Sequence, residues 1–126
     1  MNLAPILTKI LHDPAKVDEV REFQPAFVDT FRRLGWAGWH PRDVERAIAV
    51  EPGPDKPVVL DWWMVRDQRA MWVELKAERG RLSGRQMTAI LRLERAGIEV
   101  HVFRPSQWDT CVVPCLMARG RWGGAG

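Results

Sequence analysis

The chain has 126 residues, 46% of them hydrophobic and 28% charged, with a net charge of +3 and a pI near 9.3. This suits one soluble globular domain with a single core. No apolar run approaches the ~18 residues that a membrane-crossing helix needs, and Met1–Asp13 lacks a charged leader and a small-residue cleavage site, so a cytoplasmic protein with no membrane partner is expected.

Leu3–Leu11 reads as a short helix, after which Pro14 offers a restart. Val17–Leu34 carries Val20, Phe23, Phe27, Phe31 and Leu34 at spacings of three and four, which predicts a second helix. Pro25 lies inside that pattern, so a kink or a fresh start is expected there, and Gly35 ends the element. Trp36–His40 reads as a short strand. Arg42–Val50 is either a helical turn or a loop insertion, and Glu51–Pro57, with three prolines and a glycine, is a loop. Val58–Val65 and Ala70–Ala77 are apolar runs, the first interrupted by Asp61, the second by Glu74 and Lys76. The short polar link Arg66–Arg69 joins them as a β-hairpin.

Ser83 opens the clearest helix. Ser83 and Gln86 fit a capping box, Leu82 and Met87 a hydrophobic staple, and Met87, Ile90, Leu91 and Leu93 supply the apolar positions. Gly97 sits where the helix should stop. Ile98–Phe103 is a last strand, Trp108–Ala118 a closing helix, and Gly120–Gly126 a frayed, flexible tail. The order helix, strand, hairpin, helix, strand predicts a mixed α/β sandwich around one sheet, a single domain over 1–126 with its core at about 17–118.

The hairpin carries the chemistry. With the turn centred on Asp67 and Gln68, opposing residue numbers sum to 135, so Asp61 faces Glu74 and Trp63 faces Trp72. Side chains alternate along a strand, so Trp72, Glu74 and Lys76 share one face. Directly opposed Cβ atoms lie roughly 4.5–5.5 Å apart. Two carboxylates that close repel unless a proton or a cation sits between them, and a hard, oxygen-liganded ion such as Mg²⁺ suits the place. Such an ion polarises a phosphoryl oxygen and acidifies bound water. Lys76 would orient that water or stabilise charge on the phosphate. This is the chemistry of phosphodiester hydrolysis. A solvated strand of alternating charges would also put Glu74 and Lys76 on one face. Asp61 argues against that, because an acid without a partner in so apolar a strand is costly.

These residues are also familiar as a set. Leu60-Asp61, a gap of 12 residues and Glu74-Leu75-Lys76 resemble the PD-(D/E)XK nuclease motif. More narrowly, Val73-Glu74-Leu75-Lys76-Ala77, Gly80-Arg81-Leu82-Ser83 and Gln86 are similar to the VRR-NUC family, including its small stand-alone phage and bacterial members. Phe23-Gln24, Leu34-Gly35-Trp36 and His40 resemble its N-terminal segment. Ala96-Gly97, Val102-Phe103-Arg104-Pro105 and Trp108 resemble its C-terminal segment. The resemblance covers roughly residues 19–118.

It implies a restriction-endonuclease-like α-β-β-β-α-β core and Mg²⁺- or Mn²⁺-dependent endonucleolytic cleavage of DNA, often at branched, flapped or Holliday-junction structures. By the same resemblance Asp61, Glu74 and the backbone carbonyl of Leu75 would ligate the metal, Lys76 would be the catalytic lysine, and Gln86 would lie near the scissile phosphate or the attacking water, unless it serves only the capping box. Leu60 stands where the family has a proline, and Val20 where it has an N-terminal glutamate. Glu22, or its neighbour Glu19, is the candidate replacement, with Glu22 preferred. A homodimeric resolvase falls within this reading, since a two-fold enzyme matches a two-fold junction, although the sequence carries no sign of dimerisation. The alternative is a catalytically decayed DNA-binding or assembly protein that kept the fold.

Other residues are weighed separately. Arg79, Arg81 and Arg85 flank the start of the helix opened by Ser83, where backbone phosphates would bind. A solvated basic loop would look the same. His40 is either near the site or a histidine at a strand end. Cys111 and Cys115, four residues apart, are expected as reduced thiols, and with His101 they make a poor zinc set. Of the seven tryptophans, Trp62, Trp63 and Trp72 are expected in the core, with base stacking as the other reading.

Overall fold

A computed structural model describes residues 2–41 and 60–123. The expectations for Arg42–Val50 and Glu51–Pro57 lie outside the described residues. The chain begins with α1 (Ala4–His12) and a 3-10 turn (Pro14–Lys16). A wide helical turn with i→i+5 hydrogen bonding (Glu19–Phe23) then leads into α2 (Gln24–Arg33). Pro25 stands at that junction, because its missing N–H cannot extend an α-helical ladder backwards. The strands are β1 (Ala37–Trp39), β2 (Trp62–Arg66), β3 (Arg69–Leu75) and β4 (Glu99–Phe103), with α3 (Gly84–Arg95) between the last two. The chain closes through a 3-10 turn (Pro105–Gln107), a second wide turn (Trp108–Val112) and α4 (Val113–Met117). The core order from α2 to β4 is therefore α-β-β-β-α-β.

The sheet runs β1-β2-β3-β4, antiparallel except for the parallel β3–β4 pair that α3 connects. Its β2–β3 register pairs Trp63 with Trp72 and Arg66 with Arg69, so the expected sum of 135 holds. The tight turn rests on Asp67 at φ 53, a left-handed conformation that Asp tolerates better than most residues.

One face of the sheet carries the core. Trp62, Met64, Met71, Val73, Leu75 and Phe103 pack against Phe23, Phe27 and Phe31 and against Ile10, Val112 and Leu116. Burying each such side chain stabilises by about 1.5–3 kcal/mol relative to leaving it in water. Gly38 of β1 is dictated by this packing: a Cβ there would lie 2.7 Å from the Phe31 ring.

The opposite face is only partly covered. α3 packs along β4, and none of its residues is fully buried; Met87 and Leu91 remain 52% and 50% exposed. The apolar stripe of this helix therefore stays largely at the surface. The glycine-rich tail is in part docked: Trp122 packs against the core and Arg121 donates to the Gly97 carbonyl at 3.0 Å. Among the described residues no helix is long and apolar enough to cross a membrane.

Candidate metal-binding and catalytic site

The backbone ladder between β2 and β3 ends at Trp62 and Val73, and side chains take over its next rung. The Asp61 N–H donates to Glu74 Oε2 at 3.1 Å, and the Leu75 N–H donates to Asp61 Oδ2 at 2.8 Å. Each acid thus grips the other's strand. Asp61 lies at a bend just before β2 rather than within it, which frees its carboxylate for this contact. The Leu75 N–H faces Asp61, and in extended pairing a residue's carbonyl points to the same side.

Glu74 is 3% exposed. Burial first, and the Asp61 charge second, push its carboxyl up to about 7, against the pull of the Asp61 N–H and of Lys76. Lys76 Nζ lies 4.0 Å from Glu74 Oε1 with its side chain 15% exposed. Gln86 serves two groups at once. Its Oε1 accepts from the Ser83 N–H at 2.9 Å while its Nε2 donates to Glu74 Oε1 at 2.8 Å. The Ser83 hydroxyl completes the capping box by accepting from the Gln86 N–H. Gln86 therefore closes the capping box and contacts Glu74 in one conformation.

The N-terminal acid beside the strand is Glu19. Its Oε1 accepts from the Ala77 N–H at 2.9 Å, and its charge adds to the pressure on Glu74. Glu22, the preferred candidate, points elsewhere: it holds Lys9 Nζ at 2.7 Å and accepts from the Asp18 N–H. Those two bonds, the backbone one first, draw its carboxyl below the usual range. The cause is the wide turn Glu19–Phe23, whose extra residue per turn shifts the phase that an α-helical count assumes. Val20 is 65% exposed. The prolines on either side of the segment, Pro14 and Pro25, were the only sequence signal of that irregularity.

The remaining candidates divide. Arg79, Arg81 and Arg85 are exposed around the loop that leads into α3, and none forms an ion pair among the described residues. Arg104 fixes that loop by donating to the carbonyls of Ala77 at 2.8 Å and Gly80 at 2.6 Å. Among the described residues His40 makes no hydrogen bond to Asp61 or Glu74. Its ring packs on Trp62, 5.0 Å between centroids, on the core side of the sheet. Trp62 is core as expected, but Trp63 and Trp72 lie on the other face and are only half-buried.

A second group of donors, Glu99, His101 and Cys115, gathers within 4.8 Å. Arg69 already occupies it: its guanidinium binds both Glu99 oxygens at 3.0 and 2.5 Å and Cys115 Sγ at 3.3 Å. Burial alone would raise the Glu99 carboxyl, but the hydrogen bonds from His101 and Arg69 outweigh it and hold it at about 2. Burial pushes the Cys115 thiol up to about 12, so it stays protonated and a poor metal ligand. Both cysteines are free thiols.

Residues 59–107 match the VRR-NUC domain family model. The match includes Asp61, Glu74, Lys76, Gln86 and the three arginines, and gives that segment a nuclease-type assignment. No curated protein and no solved structure matches the chain.

Proposed function

From the VRR-NUC match as premise, we propose that the protein is a divalent-metal-dependent endodeoxyribonuclease acting on branched, flapped or four-way DNA. The observation that carries this reading is the mutual grip of Asp61 and Glu74, with Lys76 and Gln86 both at Glu74 Oε1. The donors suit Mg²⁺ or Mn²⁺, since every candidate ligand is a hard oxygen: the carboxylates of Asp61 and Glu74, the Leu75 carbonyl, and Glu19 in reserve. A cation there offsets both the burial and the Asp61 charge that favour the protonated form of Glu74. When bound, the metal supplies Lewis acidity toward a phosphoryl oxygen and lowers the pKa of coordinated water.

The protein's own groups do the rest. Lys76 places an ammonium beside Glu74, where it stabilises negative charge developing on the phosphate. Gln86 holds the Glu74 carboxylate in place, and its amide is a neutral donor suited to orienting a water. The exposed arginines hold flanking phosphates as bidentate donors. A panel of linear, flapped and four-way DNA, incubated with Mg²⁺ or Mn²⁺, tests the proposal. Cleavage abolished by chelation and by Asp61→Asn is expected. A wild-type protein that binds DNA but cleaves none of the panel with either metal overturns it in favour of the decayed DNA-binding protein.

A further inference from the structure

Three tryptophans line up across adjacent strands. Trp39 is the partner of Trp63 in the β1–β2 pair, and Trp63 the partner of Trp72 in the β2–β3 pair. Opposed residues of antiparallel strands share a face, and this face is not the core. Gly38, next to Trp39, is the residue aimed at Phe31, and Trp62 and Val73, next to Trp63 and Trp72, are the buried ones. The Trp63 and Trp72 rings lie 5.1 Å apart at 39°, and Trp39 is 53% exposed. Glu74 follows Trp72 on this same face of β3, two residues on and about 7 Å away at the usual rise of a strand, and its carboxylate holds Asp61 at the bend before β2. Beyond Glu74 in the direction of β3 come Lys76 and the arginine loop, so the acid pair stands between the tryptophans and the arginines.

We propose that Trp39, Trp63 and Trp72 form a stacking platform for unpaired bases, so that the site takes DNA where a duplex gives way to a single strand. The inference rests on the nuclease reading and narrows its substrate. Paired bases bury their faces in the helical stack, and only an unpaired base offers its face to an indole. Every base has such a face, so the platform selects structure and not sequence. Stacked nucleotides advance about 3.4 Å each, so the platform receives bases about two nucleotides from a phosphate held at Asp61 and Glu74. The duplex side then lies over Arg79, Arg81 and Arg85, which bind phosphates without regard to base.

The test uses the full chain carrying Asp61→Asn to silence cleavage, and two probes of one sequence: a blunt duplex, and a flap with 2-aminopurine in its unpaired arm. Tighter binding of the flap, with quenching of 2-aminopurine, is expected. Trp39→Ala, at an exposed position, should weaken flap binding by about tenfold and relieve the quenching while blunt-duplex affinity holds. Trp72→Leu, which keeps an apolar side chain in the sheet, should act in the same direction. Equal affinity for the two probes, or a flap affinity unmoved by both variants, overturns the platform. So does a dimer without DNA that Trp39→Ala converts to monomer with flap affinity intact, because the row is then a contact between two copies. Failure of the underlying reading looks different: flap binding that depends on the tryptophans, with no cleavage by the wild type under any metal, keeps the platform and removes the nuclease.

Discussion

Lys76 and Glu74 lie side by side, 4.0 Å apart, and in the proposed reaction both bear on cleavage, but only Glu74 of the two ties stability to pH. Lys76→Ala should lower metal-dependent cleavage by about 10²–10³, the usual loss of one electrostatic stabiliser, while circular dichroism and thermal melting remain near wild type. Wild-type cleavage by Lys76→Ala, with contamination excluded, would dissociate this strand from the chemistry. Glu74 makes a prediction in pH. Its carboxyl lies at about 7 in the folded chain and near the ordinary value of about 4.3 in the unfolded one. Between those values the folded state retains a proton that the unfolded state has released. Its contribution to stability is therefore full below about 4.3 and is lost as pH rises through about 7. Glu74→Gln should flatten that slope in urea denaturation without divalent ions, and should also abolish cleavage. Metal binding runs the other way. It needs the carboxylate, so Mg²⁺ or Mn²⁺ affinity should rise through pH 7 with proton release, visible by calorimetry in buffers of different ionisation enthalpy.

Two short elements decide how well the residues are held. The α3 cap is shared between the helix and the site, because Gln86 closes the box on Ser83 and restrains Glu74. Ser83→Ala should cost about 1 kcal/mol of stability, the usual worth of such a cap, and should reduce cleavage less than Gln86→Ala, which removes the direct contact. The loop between β3 and α3 is held by Arg104 from beneath and carries Arg79 and Arg81 outward, with Arg85 on the first turn of α3. Neutralising all three should weaken DNA binding and lower the magnitude of the salt slope, since each lost phosphate contact removes about one counterion from the dependence. An unchanged slope in the triple alanine variant would exclude this loop from the interface.

At the scale of the whole molecule, the N- and C-terminal segments are joined to the hairpin through two arginines, Arg69 buried and Arg66 half-buried. Arg66 and Arg69 flank the Trp36 ring at 4.8 and 5.1 Å. Arg69 donates to the Cys115 and Ala118 carbonyls, Arg66 and the Trp36 indole to the Leu116 carbonyl, and Arg66 also to Ala118. Together they satisfy the free carbonyls at the end of α4, where positive charge is favoured. Arg69→Met should therefore destabilise by about 3–5 kcal/mol, because Glu99 would remain buried without its bidentate partner. Chemical denaturation at neutral pH reads this directly. The double variant Arg69→Met/Glu99→Gln should recover part of the loss, since the stranded charge is then gone.

Local rules sufficed wherever neighbours in sequence are neighbours in space. The hairpin register follows from a two-residue turn and the period of a strand, and with it the pairing of Asp61 and Glu74. The α3 start follows from Ser83 and Gln86, and the element order from the spacing of apolar residues and turns. Tertiary structure decided what those periods leave open. The wide turn before α2 rotated Glu19 toward the strand and Glu22 toward Lys9, an effect of backbone hydrogen bonding that residue counts do not encode. The side of the sheet that α1, α2 and α4 cover decided that Trp62 is core while Trp63 and Trp72 face outward. Alternation states that neighbouring residues point oppositely, and only packing states which direction is inside. Residues far apart in the chain, Arg69, Glu99, His101 and Cys115, meet in one buried network because three elements converge there, and no spacing in a sequence records such a convergence.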